Sequence, residues 1–502
     1  MCVKQGDLLA AETEFMPEEG RRAGRAGVRA PIVARNWRNG QGAKGAQEGG
    51  DVTEQAPEAK PARVSETTQQ AGEAQAAAGV RARWDWAEPA VWTERMLTAL
   101  EEGVKGGKWF RLIDKVYALP NLRRAFARVK ANHGAAGVDH VTGEEFERDV
   151  EAHLVKLSQT LADQSYRPQA IRRKWIDKLG SKEQRPLGIP TVRDRVVQAA
   201  LRAVLEPIFE RDFAAQSYGF RPKRGCKDAL RRVDHLLKQG YSWVVDADLK
   251  SYFDTIPRAE LLARIETKIA DGRVLRLVEA FLQQGVLEEM KLWTPEAGTP
   301  QGAVVSPLLS NIYLDPLDHH MVAGGLEMVR YADYFVVLCR SQAEAQQARE
   351  AVQRWTAEAG LTLHPVKTRI VDATQPGGFD FLGYHFERGY KWPRDKSEGK
   401  LRDTIRAETR RTSGHSLAAI TVDLNRTLRG WYGYFKHSHP TTFATLDGWV
   451  RQRLRSILRR RRGGRGRGRG ADHQRWPNAF FADLGLYSLA TTHAAACQSS
   501  RR

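Results

Sequence analysis

Cysteines and long apolar runs are both scarce in this sequence. The 502 residues include four cysteines, which are widely spaced and form no Cys-x-x-Cys pair. This pattern argues against a disulfide framework and against a zinc module. No apolar run approaches the roughly 20 residues that a membrane-spanning helix needs, and the N-terminus has no apolar signal-peptide core. We therefore expect a soluble, cytoplasmic protein with no membrane partner.

Acidic residues are outnumbered by basic ones. Lys and Arg total 79 against 60 Asp and Glu, which gives a formal net charge of +19. A surplus of this size favours a polyanionic partner, because each phosphate that is neutralised releases a counterion. Membranes are the rival polyanion, but the sequence has no segment suited to them. Nucleic acid is therefore the predicted partner.

Composition divides the chain into three regions. Residues 1–82 are rich in Ala, Gly, Glu and Arg and poor in aromatics, which predicts a disordered N-terminal tail. From Trp84 to about residue 386, aromatic, glycine and aliphatic residues alternate as they do in domains that mix helices and strands. Beyond about residue 400 the apolar spacing becomes helical.

The central region carries both helix and strand signals. Segment 227–238 places its apolar residues on one helical face, and Gly240 is placed to end that helix. A strand is predicted over 241–245, and 328–338 predicts two short strands joined at Ala332-Asp333. Helices followed by strands with a hairpin indicate an α+β fold, a sheet packed on helices.

Two amphipathic helices are predicted in the C-terminal region. The first begins after the N-cap Ser416 and is expected to end at Gly430. The second has an apolar stripe from Phe443 to Ile457, and basic residues cover its opposite face and its end. These basic residues are Arg451, Arg453, Arg455, Arg459 and Arg460.

Three aspartates are candidates for metal chemistry. Asp246 and Asp248 end an apolar strand on one face, and Asp333 lies in the tight turn between two others. If those strands are neighbours, Asp248 and Asp333 converge on a divalent cation, and Mg²⁺ prefers such hard oxygen ligands. Two such ions clamp the attacking and leaving oxygens of an in-line phosphoryl transfer. On the residues alone, the interpretation of these aspartates as caps and turn residues is the favoured one.

A series of motifs, met in order along residues 110–490, resembles bacterial group II intron reverse transcriptase/maturases. The motifs are Asn132 to Asp139, Arg185 to Thr191, Asp194-Arg195 with Gln198, Ser217 to Pro222, Asp246 to Lys250, Gly298 to Gly302, Ser306 to Leu314, Tyr331 to Tyr334, Lys367-Thr368, Phe381 to Gly383, Trp431 to Phe435 and Gly485 to Leu489. The resemblance implies a right-hand polymerase followed by an α-helical thumb and maturase domain.

The resemblance also implies a domain order. Residues 83–165 would hold the N-terminal extension and the start of the fingers, and 166–388 the fingers and palm. Residues 400–490 would be the thumb and the RNA-binding maturase domain, and 491–502 a short tail without an endonuclease domain. The implied function is RNA-templated DNA synthesis together with assistance of intron RNA splicing and mobility. The implied partners are the group II intron RNA and target DNA, and the implied cofactors are two Mg²⁺ ions with dNTP substrates.

Site residues follow from the same resemblance. Asp248 and Asp333 would be catalytic and would bind metal together with the Leu249 carbonyl. The nucleotide-binding residues would be Lys178, Arg185, Phe253, Gln301, Gly302 and Lys367. Core packing remains open for Phe253, and a structural salt bridge remains open for Lys367. RNA would be bound by Arg451, Arg453, Arg455, Arg459 and Arg460, with Trp431 and Tyr434 as stacking surfaces, although the aromatics could equally form a helix-packing core.

One position departs from the family pattern. Relatives usually carry Tyr-Ala-Asp-Asp in the turn, whereas this chain has Tyr334 in place of the second aspartate. Phenol is a poor Mg²⁺ ligand near neutral pH, because its pKa is about 10. Three interpretations therefore stay open: an active intron-encoded enzyme, a polymerase-impaired maturase, and a domesticated reverse transcriptase. The maturase-like C-terminus disfavours the third.

Overall fold

A computed structural model of the chain describes residues 79–177, 184–289 and 291–499. The predicted disordered tail lies outside this part of the chain, apart from its last residues. Trp84–Arg502 forms one compact unit, and the segment before it is a separate one. Among the described residues, no helix is both long and apolar enough to cross a membrane.

The described elements mix helices with short strands. In the first half they are α1 (Glu94–Glu102), α2 (Ile113–Tyr117), α3 (Leu119–Ala131), α4 (Gly143–Arg148), α5 (Val150–Ala162), β1 (Ile171–Asp177), β2 (Gln184–Ile189), α6 (Val192–Glu210), α7 (Cys226–Lys238), β3 (Trp243–Asp248), α8 (Tyr252–Thr255), α9 (Arg258–Glu266), α10 (Gly272–Leu282), β4 (Val286–Glu288) and β5 (Lys291–Trp293).

The second half turns from strands to helices. Its elements are α11 (Ser306–Ala323), β6 (Glu327–Tyr331), β7 (Tyr334–Cys339), α12 (Gln342–Glu358), β8 (Arg369–Asp372), β9 (Phe379–Phe381), β10 (Tyr384–Glu387), β11 (Tyr390–Pro393), α13 (Asp395–Glu408), α14 (Leu417–Phe435), α15 (Pro440–Arg461), α16 (Gly470–Arg475), α17 (Asn478–Asp483) and α18 (Leu489–Ser499). The predicted α+β class is confirmed.

The central sheet positions the candidate site. Its strand order is β6-β7-β3-β8, with antiparallel neighbours throughout. The strands are short apolar runs, and the side chains of Val244, Val245 and Val336 are fully buried. Helices α7, α11 and α12 pack against the sheet. The two strands predicted within 328–338 are observed as β6 and β7, and the strand predicted over 241–245 runs instead from Trp243 to Asp248.

Two further sheets flank the central one in the chain. The first has the order β2-β1-β4-β5, and β1 pairs with β2 through a six-residue register from Arg172↔Ile189 to Asp177↔Gln184. The second is the three-stranded sheet β11-β10-β9. Its connection to the C-terminal helices runs through Tyr384, whose hydroxyl donates to the Tyr434 carbonyl at 2.7 Å. The first residue of β10 is thus hydrogen-bonded to helix α14.

The C-terminal helices confirm the predicted stripes but not their ends. Ser416 caps α14 by accepting from the Ala419 amide at 3.1 Å. The predicted apolar stripe of α15, from Phe443 to Ile457, is buried in a hydrophobic cluster shared with other helices. The prediction that α14 ends at Gly430 is wrong, because the helix continues to Phe435. The apolar residues that follow Gly430 supply further packing, which outweighs the weak helix propensity of one glycine. Residues 491–499 of the expected tail lie in α18, which packs on α15.

Gly430→Ala is expected to stabilise the protein by about 0.5–1 kcal/mol, because alanine loses less backbone entropy in a helix. A Cβ at this position meets no heavy atom within 4 Å. The measurement is the free energy of unfolding in denaturant. Gly302→Ala is the control expected to destabilise, since its φ is +96° and its added Cβ would lie 2.4 Å from the Gly188 carbonyl oxygen.

Candidate active site

Asp248 and Asp333 are brought together by the pairing of β3 with β7. Asp248 is the last residue of β3 and is registered directly opposite Tyr334, the first residue of β7. Asp333 precedes Tyr334 in the turn, and its carbonyl accepts from the Leu249 amide at 3.4 Å. The Asp248 carbonyl accepts from the His364 amide at 2.8 Å. The strand register therefore brings Asp248 and Asp333 together, and their joint binding of a cation stays a prediction.

The electrostatics of this pair favour a bound cation. Burial raises the pKa of Asp333, the Asp248 charge raises it further, and Arg185 and Lys367 oppose both effects. Two close carboxylates with a desolvated member are stabilised by positive charge, which a divalent ion would supply in addition to the nearby Lys367 and Arg185. Among the described residues no group of three or more His, Cys, Asp or Glu side chains could hold a metal. Two carboxylates fit Mg²⁺ all the same, because Mg²⁺ keeps waters and substrate phosphates in its shell.

Cationic side chains stand around the carboxylates. Lys367 forms an ion pair with the Asp248 carboxylate, and 60% of the lysine side chain is exposed. Arg185 lies on β2, where it is exposed and close enough to lower the pKa of Asp333. Lys178 lies outside the described residues. Two of the three predicted triphosphate-binding cations are thus located beside the carboxylates.

The turn that contains Gln301 and Gly302 forms hydrogen bonds to both β2 and α8. The Gln301 carbonyl accepts from the Gly188 amide at 2.7 Å, and Gly302 has a φ of +96° that favours glycine. The Phe253 carbonyl in α8 accepts from the Thr299 amide at 2.7 Å. The half-buried Phe253 ring packs edge-on against Tyr252, with 5.5 Å between ring centroids. The segment 299–302 is therefore hydrogen-bonded to both β2 and α8.

The Tyr334 side chain lies opposite Asp248, but its hydroxyl is not bonded to Asp248 or Asp333. Its hydroxyl lies 2.7 Å from the Asp246 carboxylate and also bonds the Asp380 carbonyl of β9. Its ring packs on Phe381 at 5.4 Å. Burial raises the pKa of Tyr334, and the Asp246 charge raises it further, so the phenol stays protonated. Tyr334, which stands where relatives carry the second aspartate, therefore links the turn between β6 and β7 to the three-stranded sheet.

A buried network beneath the turn went unnoticed in the sequence. Arg330 is 0% exposed and donates to both oxygens of Asp318, to the side-chain oxygen of Asn311 and to the carbonyl of Ala332. Ala332 has a left-handed φ of +59°, which costs an L-residue about 1–2 kcal/mol. An arginine before the Tyr-Ala-Asp turn and an Asn inside the Ser306 to Leu314 motif were the available signals.

Three of the five predicted RNA-binding arginines form hydrogen bonds within the protein. Arg455 is 3% exposed and donates to the Trp476 carbonyl and to Asn478, both at 2.9 Å. The prediction that Arg455 lies with the other arginines on the face opposite the apolar stripe is therefore wrong, because this side chain is buried and bonded to residues 476 and 478. Arg453 donates to the Thr409 carbonyl at 2.9 Å, and Arg459 to the Asp472 carboxylate at 2.6 Å. Arg460 is exposed and Arg451 half-buried.

Trp431 and Tyr434 pack mainly within the protein. Trp431 stacks on Phe435 at 4.8 Å and lies between two apolar clusters. The Tyr434 hydroxyl donates to the Leu382 carbonyl at 2.7 Å, and burial raises its pKa. These contacts agree with the interpretation, left open by the sequence, that both side chains belong to a helix-packing core.

A sheet of this strand order, with one carboxylate at a strand end and one in the adjoining hairpin turn, agrees with the reverse-transcriptase class that the motif series implied. Comparison with family models agrees with this class. Residues 176–386 match the reverse transcriptase (RNA-dependent DNA polymerase) model, and residues 399–476 match the group II intron, maturase-specific domain. The chain belongs to the group II intron reverse transcriptase/maturase family.

Two individual relatives support this assignment. Group II intron-encoded protein LtrA of Lactococcus lactis subsp. cremoris is 41% identical over 196 residues, which are 39% of this chain and 32% of LtrA. Protein YkfC of Escherichia coli (strain K12) is 31% identical over 68% of this chain and 94% of its own length. A solved partial Cas6-RT-Cas1--Cas2 complex is 25% identical over 49% of this chain and 41% of that chain, with a TM-score of 0.32.

Proposed function

We propose that the chain is an RNA-directed DNA polymerase that also assists splicing and mobility of its intron RNA. The observation that carries this proposal is the juxtaposition of Asp248 and Asp333, which the β3–β7 register produces. The maturase-specific match over residues 399–476 supports the splicing role. Intron RNA and target DNA are the proposed partners, and dNTPs the proposed substrates.

Mg²⁺ would be held by Asp248, Asp333 and the Leu249 carbonyl, and it would neutralise charge at the attacking and leaving oxygens. Arg185 presents a permanent, planar cation to the incoming triphosphate. Gln301 and Gly302 line the base and sugar side, where glycine permits close backbone approach. Phe253 flanks the sugar.

Lys367 has a role that changes with cation binding. In this structure it neutralises Asp248 directly. Mg²⁺ held at the same oxygens would compete with this ammonium. Lys367 would then be available to stabilise the charge of the leaving pyrophosphate or to donate a proton to it.

Primer extension on an RNA template tests the polymerase proposal. The purified chain is compared with Asp248→Asn, which keeps the shape of the site and removes one charge. Extension that Asp248→Asn lacks supports polymerisation by this site. Equal products from the two proteins would contradict the proposed site.

Tyr334 favours a second candidate, a polymerase-impaired RNA-binding maturase. Its hydroxyl is committed to Asp246 and Asp380 and offers no carboxylate to a metal. A splicing assay on intron RNA separates the two candidates. Splicing assistance that survives in Asp248→Asn, without primer extension by the unaltered chain, identifies the second.

RNA affinity is expected to depend on the exposed arginines of α15 and the segment after it. Replacing Arg460 and Arg462, both exposed, with alanine should weaken binding and reduce the slope of log K against log salt by about 1–2, since each phosphate contact contributes roughly 0.9. Filter binding over a salt series measures this slope. Arg455→Ala is the contrasting variant: it should lower stability with little change in slope, and an unchanged slope for the first variant would refute the prediction.

A further inference from the structure

The Arg330 side chain connects helix α11 to the Tyr331–Tyr334 turn. Its guanidinium donates to Asp318 of α11 at 2.7 and 2.5 Å, to the Asn311 side chain at 3.0 Å and to the Ala332 carbonyl at 2.9 Å. Arg330 and Asp318 are both 0% exposed. The charge is therefore fully desolvated and is balanced by a two-oxygen contact with one carboxylate.

The same network clamps the loop that leads into Gly219. The Asn311 side-chain amide donates to the Gly219 carbonyl at 2.9 Å, and the Arg330 carbonyl accepts from the Tyr218 amide at 2.9 Å. A Cβ on Gly219 would lie 2.4 Å from the Ala332 nitrogen. The loop and the guanidinium thus contact the backbone of Ala332 from two directions.

We propose that Arg330 is a positioning residue for the Asp333 carboxylate. Ala332 adopts a left-handed conformation that an L-residue rarely holds without support. The bond from Arg330 to the Ala332 carbonyl fixes this conformation and so sets the direction in which the next residue, Asp333, projects. The inference rests on the proposed function in one respect: it takes Asp333 to be the cation ligand.

A lysine cannot replace this arrangement. The planar guanidinium directs separate N–H groups at Asp318, Asn311 and Ala332 at once, whereas an ammonium on a flexible stem is a point charge. Arg330→Lys keeps the charge against Asp318 and loses the geometry. It therefore separates positioning from simple charge balance.

The test is Mn²⁺ binding by the full chain, measured by electron paramagnetic resonance of the free ion. Asp333→Asn defines the background, so that only ions bound through Asp333 are counted. Arg330→Lys is expected to weaken this binding by about tenfold or more. Arg221→Lys is the matched control, because Arg221 is also buried and also pairs with a carboxylate, Glu210, at 2.8 Å, and it should change the binding less than twofold.

Thermal unfolding is recorded on every variant. A merely structural role predicts that Arg330→Lys and Arg221→Lys lose stability alike and keep the same Mn²⁺ affinity, and that result would overturn the inference. Asn311→Ala, which removes an uncharged partner of Arg330, is expected to weaken binding less than Arg330→Lys and covers the case in which the lysine variant does not fold. If the unaltered chain and Asp333→Asn bind Mn²⁺ equally, the proposed metal site itself fails.

Discussion

Replacing Tyr334 with aspartate is expected to raise primer extension on an RNA template by about a hundredfold or more, since a preorganised charge-stabilising group commonly contributes 10²–10³ in rate. Residue 334 is registered directly opposite Asp248. Side chains of directly opposed residues in antiparallel strands have Cβ atoms about 4.5–5.5 Å apart. A carboxylate at this position would therefore reach the ions held by Asp248 and Asp333.

The same change should cost stability. The Tyr334 hydroxyl donates to Asp246, a 7% exposed carboxylate whose cationic neighbour is Arg369, with 3.5 Å between nitrogen and oxygen. Loss of this donor leaves a buried acceptor poorly satisfied, at a cost of about 1–3 kcal/mol. Thermal unfolding should show the decrease, so extension rates are best compared well below the unfolding temperature.

Two variants isolate the carboxylate as the cause. Tyr334→Asn has the shape of aspartate without its charge, and Tyr334→Phe removes only the hydroxyl. Neither is expected to raise extension. Rapid synthesis by the unaltered chain, with no gain in Tyr334→Asp, would show that Asp248 and Asp333 suffice and that the second aspartate is dispensable here.

Local pattern was enough to predict β6 and β7 from sequence. The palm was implied by the resemblance of the motif series to a known family, and the pairing that brings Asp248 to the turn with Asp333 was left open. The error at Gly430 has a physical cause: glycine weakens a helix by only about 1 kcal/mol, and the packing of Tyr432 and Phe435, both 8% exposed, exceeds that. Helix ends depend on such tertiary contacts, which spacing does not reveal.

The pattern of charges led to a wrong prediction for Arg455, because burial decides the role of this side chain. Arg455 stands among arginines that look alike in sequence, but its carbonyl and amide acceptors come from residues 476 and 478. Arg330 is the opposite case, an isolated arginine whose partners on α11 lie 12 and 19 positions earlier. Partners this distant are set by the fold, so neither role could be read from a local window.

Asp333→Asn is expected to stabilise the metal-free protein and to abolish its stabilisation by Mg²⁺. Burial and the nearby Asp248 charge raise the pKa of Asp333, which means that the ionised carboxylate is unfavourable in the folded state. Asparagine removes that penalty, so the unfolding temperature at neutral pH without divalent ions should rise by a few degrees, the usual equivalent of about 1 kcal/mol.

Addition of Mg²⁺ should reverse the order of the two proteins. A ligand that binds only the folded state stabilises it by about 2.7 kcal/mol at one hundred times its dissociation constant. The unaltered chain should gain this stabilisation as Mg²⁺ is titrated, and Asp333→Asn should not. Asp372→Asn is the control, because Asp372 ends β8 of the same sheet but caps its own turn through Thr374 at 2.9 Å. A Mg²⁺-dependent shift of equal size in Asp333→Asn would place the metal elsewhere.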